Sequence, residues 1–439
     1  MKSDAVTSAP LGELLTPFSD HEATLEANRC LYCYDAPCIH ACPTHIDIPT
    51  FIKRIADKNL LGSAKTILES NLLGATCSRV CPVQELCEGA CVLGSDHPPI
   101  QIGRLQRYAM DAIRGRETQT VSIGDETGKS IAIVGAGPAG LSCAGELRKL
   151  GHAVTLLERR AVGGGLSTYG IIQLREPIDI AIGEAAFIER LGVKFEYGVE
   201  LGHDKSLAEL RRDFDAVYIG VGLGQSPDLH IPGEEWIFDG LRLIEQSKME
   251  AAPMKLGQRV VVIGAGNTAI DCATIAKRLG ATDVTIIYRR TIDEMTAYPH
   301  EYEFAKAEGI RFEFLAQPSA VITDEQGVTG LTCQRMHLGP DDSSGRPSSI
   351  PVPDETFVVE ADQIIKAIGQ VRHPLASLLG LGIENGYITV DENFETTLAG
   401  VYAGGDCIRA TGAASTVMAV QDGKLAARSI HQAIMGGPS

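Results

Sequence analysis

The chain has 439 residues, is 44% hydrophobic, and carries a formal net charge of −17 from 39 basic and 56 acidic residues. This length predicts about three domains of roughly 150 residues each, with enough apolar residues for large buried cores. The acidic balance, without clustered Lys or Arg, argues against nucleic acid and anionic membranes as partners.

The sequence shows no targeting or membrane signal. Met1–Asp20 lacks a basic region followed by an apolar core, so we expect no signal peptide. No apolar run reaches the roughly 18 residues that a membrane span needs. The sequence therefore predicts a cytoplasmic protein, whose twelve cysteines would stay reduced rather than form disulfides.

Eight of the cysteines lie between Cys30 and Cys91, and such clustering in a reducing compartment indicates metal binding. The first group consists of Cys30, Cys33, Cys38 and Cys42, and it ends in Cys-Pro. The bacterial ferredoxin motif also ends in Cys-Pro, and its fourth cysteine ligates a different cluster from the first three. By that logic, Cys30, Cys33 and Cys38 hold one [4Fe–4S] cluster, and Cys42 belongs to a second. The second group consists of Cys77, Cys81, Cys87 and Cys91.

Zinc is the alternative metal for these thiols. Zinc sites usually combine two CxxC pairs or include histidine, whereas only Cys30 and Cys33 form such a pair here. The spacing therefore favours iron–sulfur clusters over zinc.

A helix is predicted after the cysteines, because Ile100–Ile113 has apolar residues at helical spacing. Gln106 lies on the same inward face as these apolar residues. A buried glutamine needs a hydrogen-bond partner, and a backbone group is the simplest one.

A strand–turn–helix–strand unit typical of dinucleotide binding begins at Ile131. Its G-x-G-x-x-G turn permits a tight bend, close approach of the backbone to a pyrophosphate, and close packing of the helix on the strand. An acid that can bind ribose hydroxyls follows 18 residues after the last glycine. The predicted site residues of this unit are Gly135, Gly137, Pro138, Ala139, Gly140 and Glu158.

A second unit follows, with a strand at Arg259–Ile263 and another at Val284–Tyr288. Its third glycine is replaced by alanine, and its second strand ends in two arginines instead of an acid. Arginines at this place accommodate the 2′-phosphate of NADP, so the pattern favours NADP(H) over NAD(H), the alternative being a solvated surface pair. The predicted site residues are Gly264, Gly266, Asn267, Thr268, Ala269, Arg289 and Arg290.

Two such units imply two nucleotides, of which the first, with its acid, is FAD and the second is the nicotinamide coenzyme. The C-terminal part supplies a strand with an acid at a Gly turn, then a helix start that would lie near the flavin ring. The FAD domain is therefore predicted to be discontinuous, with the NAD(P) domain inserted. The additional FAD residues are Gly404, Gly405, Asp406, Thr416 and Val417.

The predicted fold class is α/β, with a helical iron–sulfur domain followed by two Rossmann-like domains. The crossovers between the two nucleotide domains are placed near two strand–Gly segments, 221–224 and 367–370. The predicted boundaries are 1–125 for the helical domain, 126–225 and 371–439 for the FAD domain, and 226–370 for the NAD(P) domain.

The other four cysteines form no CxxC pair, which disfavours a disulfide reductase of this architecture. They are Cys143, Cys272, Cys333 and Cys407. Ser/His/Asp, HExxH and Walker motifs are also missing, so no catalytic side chain is predicted and the bound cofactors would carry the chemistry.

The whole chain resembles the electron-input half of dihydropyrimidine dehydrogenase, including the separate bacterial subunit of that enzyme, and is also similar to the small subunit of glutamate synthase. The resemblance covers nearly the whole length. The segments that carry it are 30–38 (CLYCYDAPC), 41–44 (ACPT), 86–91 (LCEGAC) and 102–106 (IGRLQ).

The resemblance implies a ligand set. In the dihydropyrimidine dehydrogenase family, one cluster is held by three cysteines and a glutamine, whereas the glutamate synthase relatives have glutamate at the Gln106 position. Cys77 would then be spare, or would replace Gln106 as the eighth ligand. The implied ligands are Cys30, Cys33, Cys38 and Cys91 for the first cluster, and Cys42, Cys81, Cys87 and Gln106 for the second.

The resemblance also implies the activity: NAD(P)H reduces FAD, and electrons pass singly through two [4Fe–4S] clusters to a partner. That partner would be an FMN-containing (β/α)8-barrel subunit with its own clusters, which reduces uracil or thymine to the dihydropyrimidine. The alternative is a glutamate synthase small subunit. A scaffold with degenerate nucleotide sites is disfavoured by the intact Gly turns, Glu158 and Asp406, and the arginine pair departs from an NADH-using bacterial member.

Overall fold

The computed structural model describes residues 12–249, 255–342, 345–409 and 415–436. The first six α-helices form the N-terminal part that carries the clustered cysteines. They are α1 (Asp20–Asn28), α2 (Pro37–Ala41), α3 (Ile48–Ala56), α4 (Leu60–Ser70), α5 (Gly74–Val80) and α6 (Ile102–Ala112).

The remaining helices alternate with strands over most of the chain. They are α7 (Pro138–Lys149), α8 (Leu166–Tyr169), α9 (Ile178–Arg190), α10 (Leu207–Asp213), α11 (Gly240–Met249), α12 (Asn267–Arg278), α13 (Pro299–Ala307), α14 (Leu375–Leu378) and α15 (Thr416–Met435). Short 3-10 helices occupy Val92–Ser95, Glu117–Thr120, Glu234–Trp236 and Ile292–Glu294.

The strands are β1 (Ser130–Val134), β2 (Ala153–Glu158), β3 (Lys194–Tyr197), β4 (Ala216–Ile219), β5 (Ile237–Asp239), β6 (Arg259–Ile263), β7 (Asp283–Tyr288), β8 (Arg311–Phe314), β9 (Ala316–Asp324), β10 (Gly327–Asp341), β11 (Pro347–Glu360), β12 (Gln363–Lys366), β13 (Ile383–Glu384), β14 (Tyr387–Ile388) and β15 (Val401–Ala403).

One compact unit combines the helical N-terminal part with the first parallel sheet and α15. The sheet has the strand order β15-β4-β1-β2-β3, so the C-terminal strand joins strands from the first nucleotide unit. Strand β1 is buried over 131–134, as expected where helices cover both faces of a parallel sheet. The FAD-type sheet is therefore built from two separate parts of the chain.

Close packing fixes α15 against α7 inside this unit. A Cβ atom on Gly423 would lie 2.1 Å from the Ala139 carbonyl oxygen, so only glycine allows this helix crossing. Ser142 Oγ also donates to the Val420 carbonyl at 2.7 Å. The C-terminal helix is thus held over the helix that comes after the first Gly-rich turn.

The helical part has a buried core of its own and also packs against the domain of the first sheet. Phe51, Ile52 and Ile55 on α3 are buried, and Asp47 caps the N-terminus of this helix by accepting from Thr50 N. Leu72, which precedes α5, packs so tightly on α7 that a Cβ on Gly145 would lie 2.5 Å from it.

The second compact unit gathers Tyr169–Leu174 and Gly224–Val371 among the described residues. Its parallel sheet has the order β5-β12-β6-β7-β8, and an antiparallel sheet has the order β11-β10-β9. Its two connecting segments pair with each other, because Gly224 N donates to Val371 O at 2.7 Å and Val371 N donates to Gln225 O at 2.8 Å.

These features confirm the predicted fold class: a helical N-terminal part, then two parallel-sheet nucleotide units, with a discontinuous first sheet. The exact boundaries at 125, 225 and 370 stay a prediction. The expected lack of a signal peptide rests partly on residues 1–11, which lie outside the described residues. Within the described ranges, no helix is long and apolar enough to cross a membrane.

Candidate functional site

The first set of predicted cluster ligands lines one pocket that is open to solvent. Cys30 and Cys33 lie in the loop after α1, Cys38 lies in the first turn of α2, and Cys91 immediately precedes the 3-10 helix at Val92–Ser95. The structure therefore brings together four thiols from distant parts of the sequence.

The four thiols of this pocket are partly buried. Burial, together with the neighbouring Cys30 and Cys91 thiols, raises the pKa of Cys38 to about 12. Burial also raises the pKa of Cys30. Four cysteine sulfurs around one pocket are the donor set that a [4Fe–4S] cluster uses, so these residues fit such a cluster.

The second set lies around the C-terminal end of α5. Cys81 caps this helix, and its backbone N–H donates to the Cys77 carbonyl at 3.1 Å. A hydrogen bond with the Cys77 thiol, burial, and the nearby Cys87 and Cys42 thiols all raise the pKa of Cys81. Four sulfur atoms are thus grouped here, and they include Cys77.

Gln106 is buried on α6, which packs along α5. Its Nε2 donates to the Gly74 carbonyl at 2.8 Å, which is the backbone bond that its inward position predicted. The choice between Gln106 and Cys77 as the eighth ligand stays a prediction.

No three His, Cys, Asp or Glu side chains in the described part of the chain converge tightly enough to hold a single metal ion.

The first Gly-rich turn connects β1 to α7 and has the geometry that its motif predicts. Gly135 has a φ of 99°, in the left-handed region that favours glycine. A Cβ on Gly140 would lie 1.9 Å from the Gly135 carbonyl oxygen, so α7 can start here only with glycine. By contrast, among the described residues a Cβ on Gly137 would have only the Gly165 Cα within 4 Å, at 3.9 Å.

Gly137 is the N-cap of α7, with Pro138 at the first helical position and Ala139 after it. The unpaired backbone N–H groups of a helix start form a natural phosphate site. The open space beside Gly137 leaves room for such a group, so these residues fit a dinucleotide pyrophosphate.

Glu158 ends β2 and is buried beside the turn. One carboxylate oxygen accepts from Ala136 N at 2.8 Å, and the other accepts from Arg160 N at 2.8 Å. The acid therefore already stabilises the turn before any ribose hydroxyl reaches it.

The C-terminal residues of the predicted FAD site lie where β15 ends. Gly405 has a φ of 79°, and its N–H donates to Asp422 Oδ2 at 3.1 Å. Asp406 is half-buried, and burial raises its pKa while Arg409 acts in the opposite direction. Gly404 lies against Tyr218, whose hydroxyl would be 2.3 Å from a Cβ at that position.

The sequence did not indicate a role at this site for two residues, Asp422 and Arg409. Asp422 on α15 pairs with Arg409 and also accepts from Gly405 N, so it fixes the turn that carries Asp406. Asp422 was visible inside the predicted helix, but only the fold shows that it points back to this turn.

Thr416 and Val417 are the first residues of α15. Among the described residues, the N-cap Ser415 side chain accepts from Met418 N, so the side-chain cap uses the third helical N–H and not those of Thr416 and Val417. These positions fit the predicted contact with the electron-rich end of a flavin.

The second Gly-rich turn connects β6 to α12 in the other compact unit. Gly264 has a φ of 126°, and a Cβ there would lie 2.2 Å from the Ala367 carbonyl oxygen. Gly266 is the N-cap of α12, and Asn267 Oδ1 accepts from Tyr298 N at 3.2 Å. Thr268 and the fully buried Ala269 complete the first turn of this helix.

The two arginines after β7 differ in environment. Arg289 is exposed. Arg290 is buried; its Nε donates to the Pro347 carbonyl at 2.7 Å, and its Nη2 pairs with Asp342 at 2.8 Å. Of the predicted pair, only Arg289 therefore presents its side chain to solvent, where a 2′-phosphate would bind.

Comparison with protein families gives two matches. Residues 8–118 match the family described as dihydropyrimidine dehydrogenase domain II, 4Fe-4S cluster. Residues 129–423 match the pyridine nucleotide-disulphide oxidoreductase family. Together they cover the cysteine-rich part and both nucleotide units.

Curated relatives share this arrangement. The chain is 37% identical to the NADP(+)-dependent formate dehydrogenase subunit beta of Moorella thermoacetica, over 92% of this chain and 60% of that protein. It is 34% identical to the glutamate synthase (NADPH) small chain of Halomonas elongata, over 95% and 92%. It is 33% identical to the NAD-dependent dihydropyrimidine dehydrogenase subunit PreT of Escherichia coli, over 98% of each chain. The chain thus spans less than two thirds of the formate dehydrogenase subunit.

Among solved structures, the chain is similar to thioredoxin reductase of T. acidophilum, with a TM-score of 0.53 and 23% identity over 70% of this chain and 99% of that one. This similarity concerns the fold. All twelve cysteines of the present chain are unpaired.

Proposed function

Because the chain belongs to the pyridine nucleotide-disulphide oxidoreductase family and begins with a dihydropyrimidine dehydrogenase type of iron–sulfur domain, we propose that it is the electron-input subunit of a dihydropyrimidine dehydrogenase. It is an NAD(P)H-dependent oxidoreductase of the FAD and iron–sulfur class. In this proposal it oxidises NAD(P)H and supplies electrons to an FMN-containing, iron–sulfur partner that reduces uracil or thymine.

One observation carries the electron-relay part of the proposal: both cysteine sets and the FAD-type turn belong to one compact unit. Buried polar contacts join them. Glu184 on α9 accepts from Ala75 N at 2.7 Å and from Thr76 N at 3.2 Å, at the start of the helix that leads to Cys81. A fixed distance between redox centres is what a relay needs.

When bound, FAD would accept two electrons as a hydride and release them singly, and [4Fe–4S] clusters would carry the single electrons. The protein supplies position and charge. Gly137 and the start of α7 would bind the pyrophosphate, Glu158 the ribose, and the start of α15 the flavin. The turn at Gly264–Ala269 would bind the coenzyme.

Two features favour the pyrimidine branch. The relative named as a dihydropyrimidine dehydrogenase subunit matches over 98% of both chains. Gln106, the residue implied as a cluster ligand in that family, is buried beside the helix that carries Cys77.

A glutamate synthase small subunit is the second candidate, favoured by a relative with 34% identity that also matches over nearly its full length. In that role the same relay would supply a large synthase subunit. The two candidates differ in the partner and not in the chemistry of this chain.

The proposed coenzyme is NADP(H) in preference to NAD(H), on the basis of Arg289, which is exposed after β7. The proposed assembly is a hetero-oligomer in the cytoplasm. Steady-state reduction of a dye with NADPH and with NADH as alternative donors tests the coenzyme preference directly.

The function is tested with anaerobically purified, reconstituted protein. We expect flavin absorbance, iron, acid-labile sulfide and NAD(P)H-driven dye reduction. The protein is then mixed either with a candidate FMN-barrel subunit and uracil or with a large synthase subunit, glutamine and 2-oxoglutarate. Coenzyme oxidation only with the synthase pair would replace the first proposal by the second.

A further inference from the structure

Lys424 is a buried lysine on α15 that the nucleotide sites do not use. Its Nζ donates to the Thr44 carbonyl at 2.9 Å and to the Ser70 carbonyl at 2.9 Å. Both acceptors belong to the helical cysteine-rich part, so this side chain joins the FAD-type domain to the cluster domain.

Thr44 in turn lies beside Cys42, a predicted cluster ligand. Thr44 is fully buried, and its Oγ1 lies 3.4 Å from Cys42 Sγ. The ammonium group is therefore placed beside the second set of cysteines.

The charge of Lys424 has no ion-pair partner in the described part of the chain. The charge of Glu146 raises the pKa of Lys424, but Glu146 is already paired with Lys149 at 2.9 Å. Burial lowers the pKa of Lys424, and the positive charges of Arg428 and Lys149 lower it further. Glu146 and Cys42 act in the opposite direction. A buried ammonium with only carbonyl partners is costly unless an anion lies nearby.

A [4Fe–4S] cluster with its thiolates is such an anion, and its negative charge grows by one on reduction. We propose that Lys424 is the positioning residue that places a fixed positive charge beside the Cys42 cluster and makes that cluster easier to reduce. This inference rests on the proposed relay function. Each electron comes from the flavin that NAD(P)H has reduced and leaves to the partner, while Lys424 keeps its proton.

The same residue also sets geometry. Lys424 lies eight residues after Thr416, which corresponds to roughly 12 Å along a helix. The start of α15 is predicted at the flavin, so one rigid helix connects the flavin site with the Cys42 loop. Net charge and hydrogen bonding near a cluster are recognised determinants of its potential.

The test measures the midpoint potentials of both clusters by redox-poised EPR on the anaerobic holoprotein. Lys424→Met removes the charge at similar volume, Lys424→Gln keeps a hydrogen-bond donor without the charge, and Lys424→Arg keeps the charge. Lys248→Met is the matched control, because Lys248 is equally buried and donates to the Ile171 carbonyl in the other compact unit.

We expect one cluster signal to shift to a lower potential in the Met and Gln variants, or to be lost with half of the iron and sulfide. The arginine variant and the Lys248 control should keep both potentials. The proposal would be overturned if the cluster potentials were unchanged in both neutral variants. It would also be overturned if the potential shifted equally in Lys424→Arg, or if both neutral variants misfolded while Lys424→Arg folded. Wild-type protein without any cluster would instead refute the proposed function.

Discussion

The two Gly-rich turns share a backbone conformation but differ in the residues at the end of their second strand. After β2, Glu158 is buried and accepts hydrogen bonds from the turn itself. After β7, Arg289 is exposed and Arg290 is directed away, towards Asp342 and Pro347. The acid of the FAD-type turn is part of its scaffold, whereas only one basic residue of the second turn faces solvent.

In these two units, the residues after the second strand separate a role in stability from a role in ligand specificity. A residue that both binds a ligand and holds the turn cannot be changed without loss of the turn. A residue that lies outside the turn can be changed to alter ligand choice alone. Substitutions in the two units should therefore have graded effects, from the loss of a helix packing contact to a change in coenzyme preference.

The largest effect is expected for Gly140→Ala. The new Cβ would lie 1.9 Å from the Gly135 carbonyl oxygen, so α7 must move, at a cost of about 3 kcal/mol or more. Thermal unfolding and flavin content measure it. Gly137→Ala is the control, because its Cβ has space among the described residues; it should keep the unfolding temperature of the FAD-free protein and weaken FAD binding.

Arg290→Ala should destabilise the protein by about 2–3 kcal/mol. It removes a buried guanidinium that pairs with Asp342 and binds the Pro347 carbonyl, and it leaves that carbonyl without this donor. Denaturant unfolding of the variant measures the loss. A normal stability together with weaker NADPH binding would show that Arg290 serves the coenzyme and not the fold.

Glu158→Gln should cost about 1.5–3 kcal/mol, because a neutral amide replaces the charged acceptor of two backbone N–H groups. We expect a lower unfolding temperature together with lower flavin occupancy. Full stability with flavin loss alone would contradict the scaffold role of this acid.

Arg289→Ala should leave stability within about 0.5 kcal/mol of the wild type, since the side chain is exposed. We expect the KM for NADPH to rise about tenfold, equivalent to about 1.4 kcal/mol, while the KM for NADH stays constant. An equal change for both coenzymes would contradict a contact with the 2′-phosphate.

Local patterns predicted much of this molecule, because strand–turn–helix units depend on residues that are close in sequence. Gly135, Gly140 and Gly264 have the conformations or contacts that their motif requires. The joining of β15 to the first sheet also agrees with the sequence, because a strand that ends in Gly-Gly-Asp indicated a second part of the FAD domain.

Long-range contacts could not be predicted in this way. Arg290 pairs with Asp342, 52 residues later, and this pairing distinguishes it from Arg289. Lys424 contacts Thr44 across 380 positions, and nothing in its local sequence indicates that contact. Such choices depend on tertiary packing, which periodicity and spacing do not contain.

The most direct test of the relay is anaerobic titration of the reconstituted protein with NADPH, monitored by absorbance and EPR. We expect about eight iron and eight sulfide per chain, bleaching of the flavin, and EPR signals of reduced [4Fe–4S] clusters in the same sample. Flavin bleaching in protein that contains full iron and sulfide but shows no reduced cluster signal would contradict it.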